Sequence, residues 1–122
     1  MEKNTCYNKN MKTYEMNLQP EYFDFIKNGT KRIELRLNDE KRQALALGDV
    51  IEFSDGRSSL RAEIIGLLRY ATFEDLFADF DAGILADASM TKPEILAALE
   101  EFYTPEKQAQ YGVLGIRLKV LQ

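Results

Sequence analysis

The chain has 122 residues, of which 45% are hydrophobic and 30% charged, and carries a formal net charge of −4 at pH 7. That length suits one domain with one core, the composition is that of a globular protein, and the acidity opposes bulk coating of nucleic acid or membrane. With no histidine, one cysteine and no run of about 18 apolar residues, the chain excludes an internal disulfide, the usual zinc ligand sets, a Ser-His-Asp triad and a membrane-spanning helix.

In chain order, residues 1–10 are polar and lack the apolar core of a signal peptide, and residues 1–12 are expected to form a flexible tail. Cys6 falls in this tail, and Met11 is a second candidate start. The cytoplasm is the expected compartment, and no cofactor or metal is implied. Residues 13–18 alternate Tyr14, Met16 and Leu18 with polar neighbours, which predicts a first strand. Pro20 opens a short helix with Phe23 and Ile26 on one face and Tyr22 beside Ile26, closed by Gly29 as its left-handed cap. Residues 31–37 alternate again, Ile33, Leu35 and Leu37 against Arg32, Glu34 and Arg36, and form a second strand.

Residues 38–45 read as a turn or short helix. Gly48 and Asp49 turn into a third strand over 50–53, Asp49 bonding its own backbone. After a tight turn at 54–57, residues 60–70 form a long fourth strand in which Gly66 marks a bulge. Thr72 with Asp75 three residues on starts a helix carrying Phe73, Leu76, Phe77 and Phe80. Residues 81–90 read as connection. Thr91 and Glu94 make a capping box for a helix with the stripe Ile95, Leu99 and Phe102. Thr104-Pro105 begins a last short helical turn ending near Gly112, and 113–121 form the closing strand. Residues 13–122 thus make one domain. Helices inserted among antiparallel strands indicate an α+β fold, and about five alternating strands can close into a small barrel.

Charge is unevenly placed. Between Lys27 and Arg42 six basic residues oppose three acidic ones, whereas between Ala71 and Glu106 nine acidic residues face only Lys92. A basic segment on an acidic chain suggests one anion-facing surface, with solvated faces as the plainer alternative.

Gly29-Thr30-Lys31-Arg32-Ile33-Glu34-Leu35-Arg36, then Gly48-Asp49-Val50-Ile51-Glu52-Phe53, with Tyr70-Ala71-Thr72-Phe73 and Tyr111-Gly112-Val113-Leu114 further on, resembles the ASCH domain family. The resemblance implies a PUA-like β-barrel of about five to six strands with peripheral helices. It also implies a cleft lined by the strand 31–36 that meets RNA or a nucleotide. The family resembled includes a ribonuclease and a branch that hydrolyses N4-acetylcytidine with a lysine, a threonine and a glutamate. Lys31 matches that lysine, Glu34 stands where the threonine would be, and Asp87 lies near the place of the glutamate.

The motif carries chemistry of its own. Arg32, Glu34 and Arg36 share one strand face, while Lys31 has the parity of the buried Ile33 and Leu35. A lysine at the start of such a strand buries its stem at a barrel mouth, where desolvation lowers its pKa and Glu34 raises it. Lowered, it serves as a base or nucleophile; raised, as a fixed cation. With the resemblance to the ASCH family weighing for function, Lys31 and Glu34 are the candidate catalytic pair, and Lys31, Glu34, Arg36 and Tyr70 the candidate ligand-binding set. Glu34 would accept from a base amine, Arg36 hold a phosphate and Tyr70 stack a base. The plainer alternative is a solvated ladder of Arg32, Glu34 and Arg36 with Arg61, Glu63 or Arg117.

Three functions remain open at this level: a binding module for RNA or a nucleotide, a small hydrolase on a modified nucleoside or RNA, and a protein-docking domain using the acidic helical stretch 72–106.

Overall fold

The structure, a computed structural model, describes residues 11–86 and 89–121; the expected tail as far as Asn10, with Cys6, and Asp87 lie outside the described residues. The elements are β1 (Thr13–Asn17), α1 (Pro20–Lys27), β2 (Ile33–Leu37), α2 (Glu40–Gln43), β3 (Val50–Ser54), β4 (Ser59–Tyr70), α3 (Phe73–Phe77), α4 (Ala82–Leu85), α5 (Lys92–Glu100), α6 (Pro105–Tyr111) and β5 (Val113–Val120). All five strands join one sheet in the order β1-β3-β4-β5-β2. The fold is the α+β, PUA-like architecture expected from the sequence, with the barrel left as a curled half.

Every pairing is antiparallel except β1 with β3, which is parallel. A parallel pair needs a crossover of about a dozen residues or more, which α1, β2 and α2 supply. The sheet curls until its two edges meet through one side chain. Arg36 on the β2 edge donates from Nη2 to the Asn17 carbonyl at the end of the β1 edge, at 3.0 Å.

Local chemistry sets the element ends. Gly29, at φ +86°, follows α1 in the left-handed region that glycine tolerates. The Thr72 hydroxyl accepts from the Asp75 amide, and Thr91 with Glu94 forms both bonds of a capping box. The register of β4 against β5 shifts between Ile64 and Gly66, the bulge expected at that glycine; a β-carbon there would lie 2.8 Å from Arg117 Cδ. The stretch 81–90, expected as connection, contains the single turn α4.

Two apolar clusters cover the two faces of the sheet. Phe23 and Ile26 of α1 pack with Met16, Ile51, Phe53, Ile64, Leu114 and Ile116. On the other face Ile33, Leu35 and Leu37 of β2 join Val113, Phe73, Leu76, Phe77, Leu85 and Ile95 from β5 and the helices. Strand β2 therefore has neighbours on both faces. Its alternation records one packed face with Ile33, Leu35 and Leu37, and a second covered face with Glu34 and Arg36. Among the described residues no helix is long and apolar enough to cross a membrane, and no group of three or more His, Cys, Asp or Glu can hold a metal ion.

Candidate functional site

Among the described residues four polar or charged ones are buried: Lys31, Glu34, Asp49 and Gln108. Asp49 serves structure, but through other amides than its own: its carboxylate accepts from Ala46 within the turn and from the distant Lys12. Gln108 accepts from the Phe73 amide and donates to the Tyr103 carbonyl, tying α6 to α3 and to the turn after α5. Lys31 and Glu34 instead lie together at the wall of a cavity.

That cavity, of about 300 Å³, opens where the end of β1, the start of α1, β2, α4 and α5 converge. Its polar wall is Lys31, Glu34 and Arg36, with Asn17 and Gln19 at the side; Leu35, Leu85, Ile95 and Leu99 are apolar lining, and Tyr22, Phe102 and Tyr103 bring three aromatic rings. A larger hollow of about 560 Å³ lies between β1 and the α2 region, but neither buried charge reaches it.

The three charges form one unit. Lys31 Nζ donates to the carbonyls of Ile33 at 2.7 Å and Leu85 at 2.5 Å, and lies 3.5 Å from Glu34 Oε1. Glu34 Oε2 accepts from Arg36 Nε at 2.8 Å. An ammonium has three N–H groups, and three acceptors surround this one, so the Lys31 amine is fixed in position. Arg36 uses one donor on Glu34 and one on Asn17, which leaves further N–H groups of its five for a ligand. The trio sums to one positive charge in a poorly solvated place, which favours a ligand with acceptor atoms or negative charge.

Burial pushes the Lys31 ammonium below the ordinary lysine range, with Glu34 opposing that shift. Burial also works against the Arg36 charge, but Glu34, Tyr103 and Asp39 outweigh it and raise that group. The Tyr22 phenol is raised by burial first and by Glu21 and Glu34 next. For Lys31 the sign is definite: between its depressed value and the usual 10.5 the unfolded chain holds a proton that the folded chain has released. Stability then rises with pH across that window. Urea denaturation of wild type and Lys31→Met should show the wild type gaining on the variant as pH climbs toward 10.5. A pH-independent gap would mean an ordinary lysine.

The expected site is thus gathered in part. Lys31, Glu34 and Arg36 meet in one cleft. Tyr70 does not line it; its hydroxyl donates to Asp79 Oδ2 at 2.6 Å on the helical side. Arg32 is exposed and outside the cleft. The charged ladder does not form, because Glu34 and Arg36 stand opposite Ile116 and Leu114 of β5 and turn toward each other. Tyr22 and Tyr103 also line the cavity, which no pattern in the sequence signals. Phe102, assigned to a core stripe, emerges at the cavity, since α5 ends at Glu100 and the helical phase is lost beyond it.

The profile of the ASCH domain family matches residues 16–122. The crystal structure of the hypothetical protein PH0355 superposes with a TM-score of 0.82 at 32% identity, over 89% of this chain and 99% of that one. The solution NMR structure of PF0455 from Pyrococcus furiosus gives 0.75 at 32% identity, over 90% and 98%. The crystal structure of ASCH from Zymomonas mobilis, at 16% identity, gives 0.62 over 88% of this chain and 67% of that one, a likeness of fold alone. No curated protein matches the chain significantly. From the profile match across nearly the whole described domain, the chain belongs to the ASCH domain family.

Proposed function

We propose that the cleft binds a nucleotide, either free or presented by single-stranded RNA. The observation that carries this reading is the buried Lys31–Glu34–Arg36 unit set in a cavity with apolar and aromatic walls. Such a cavity lies at the lower end of the range for small-molecule sites, roughly 300–1,000 Å³, large enough for one nucleoside and too small for a duplex. In this reading Glu34 and the unspent N–H groups of Arg36 place an acceptor beside donors, the pattern that reads a base edge or an adjoining phosphate. Lys31 holds Glu34 in place and supplies positive potential.

The same residues admit hydrolysis of a modified nucleoside, but Lys31 would first have to surrender the bonds that surround its amine. The deciding measurement is calorimetric titration of wild type, Lys31→Met and Arg36→Met with the four nucleoside 5′-monophosphates and a short single-stranded RNA. Release of acetate from N4-acetylcytidine is followed in parallel. We expect binding by wild type, a loss of roughly tenfold or more in Arg36→Met from removal of charge-assisted bonds, and no acetate. Acetate released by wild type and abolished in Lys31→Met would replace the binding module with the amidohydrolase. No binding and no turnover would discard both.

A further inference from the structure

Of the three aromatic residues that border the cleft, two are already engaged. The Lys31 ammonium lies 6.0 Å from the centre of the Tyr22 ring, and Phe25 meets that ring edge-on at 6.2 Å and 77°. The Tyr103 ring packs on Phe73 at 5.8 Å, and the Tyr103 carbonyl is tied to Gln108. Phe102 differs. It sits in the turn after α5, is 63% exposed, and has no ring or cation partner among the described residues. A lone exposed phenylalanine is ordinary on a protein surface. One that borders the cavity shared by Lys31, Glu34 and Arg36, alongside two tyrosines already engaged, is placed to be covered by something else.

We infer that Phe102 is the stacking platform of the cleft, the surface on which the flat ring of the ligand lies while its polar edge reaches Glu34 and Arg36. This deepens the nucleotide-binding reading and rests on it. The chemistry agrees on three counts. A phenyl face stacks on any nucleobase without regard to its hydrogen-bonding pattern. Ile95 and Leu99, which line the same cavity, are apolar and suit the sides of a ring rather than a phosphate. Arg36, which lines the same cavity, presents its donors in one plane, suited to the edge of a ring. The ligand class is therefore a planar heteroaromatic ring with acceptor and donor atoms on its rim. A sugar phosphate without a base would leave the Phe102 ring in water and bind less well.

The chain contains no tryptophan, so Phe102→Trp introduces a single fluorescent reporter at this position. The probes are cytidine 5′-monophosphate, adenosine 5′-monophosphate and ribose 5-phosphate, titrated into Phe102→Trp by fluorescence and into wild type, Phe102→Ala and Arg36→Met by calorimetry. Because Phe102 is exposed, its truncation leaves the fold intact, which circular dichroism verifies. The expected result is saturable quenching by both nucleotides, binding to Phe102→Ala weakened roughly tenfold or more, and little response to ribose 5-phosphate. Nucleotide binding that is unchanged in Phe102→Ala but weakened in Arg36→Met would overturn the platform and leave the cleft reading standing. Equal binding of ribose 5-phosphate and the nucleotides would also overturn it, in favour of phosphate recognition alone. Wild type that binds none of the three probes would sink both the platform and the nucleotide site.

Discussion

Glu34→Ala is expected to destabilise the protein by about 3–5 kcal/mol, the range for removing one partner from a buried ion pair. The size follows from position. Glu34 is the only anion between two cations, bonded to Arg36 Nε at 2.8 Å and facing Lys31 Nζ at 3.5 Å. Deleting it leaves two positive charges in a place built for a net charge of one. Lys31 has no exit to water, being 4% exposed. Lys31→Met should be milder, because Glu34 keeps Arg36 and the methionine keeps much of the buried stem. Glu34→Gln should also be milder than alanine, since an amide oxygen still accepts from Arg36. The double variant Lys31→Met/Glu34→Leu should recover part of the loss, as apolar replacement of buried pairs often does. Urea denaturation of the four variants gives the order directly. A Lys31→Met loss equal to or larger than that of Glu34→Ala would show that the carboxylate is not the shared centre of the unit.

That same unit marks where sequence reasoning succeeded and where it stopped. Alternation in 31–37 placed a strand, and the Gly29-to-Arg36 motif singled out charges that the fold gathers at one cavity. Gly66 was legible as a bulge and Thr91 with Glu94 as a cap, because both depend on neighbours close in sequence. What alternation cannot carry is how much of the second face is covered. Glu34 and Arg36 alternate with Ile33, Leu35 and Leu37 as solvated residues would. Their burial comes from β1 and α1 curling over that face, a long-range event closed by Arg36 on Asn17. The parallel pairing of β1 and β3 escaped for the same reason.

The helical wall shows a second limit. The stripe Ile95, Leu99 and Phe102 has helical spacing, yet α5 stops at Glu100, and only Ile95 is fully buried. A four-residue turn such as α4 has no room for a period, and Asp81 before it makes no side-chain cap. Yet α4 supplies the Leu85 carbonyl that holds Lys31. The site is therefore assembled partly from the pieces that local pattern describes least well.

Phe73→Ala tests whether that helical wall is as integral as the geometry requires, and about 3–5 kcal/mol is its expected loss. Phe73 is fully buried at the start of α3, with Phe77 at 6.3 Å and Tyr103 at 5.8 Å between ring centres. Its amide is also held by Gln108 of α6, so one residue joins α3, α6 and the turn that carries Phe102 and Tyr103. Truncation removes the ring against which Tyr103 rests and opens a void behind the cleft, with strand β5 and Leu76 too tightly engaged to fill it. Gly115 illustrates that tightness: a β-carbon there would meet Leu76 Cδ1 and Ile33 Cγ2 at 3.1 Å. Loss of stability with an unchanged denaturant slope would indicate a cavity in a cooperative domain. A reduced slope would indicate that α3 to α6 loosen separately from the sheet. A loss below about 1 kcal/mol would contradict the packed wall altogether, since only a site that collapses freely loses so little on removal of a phenyl ring.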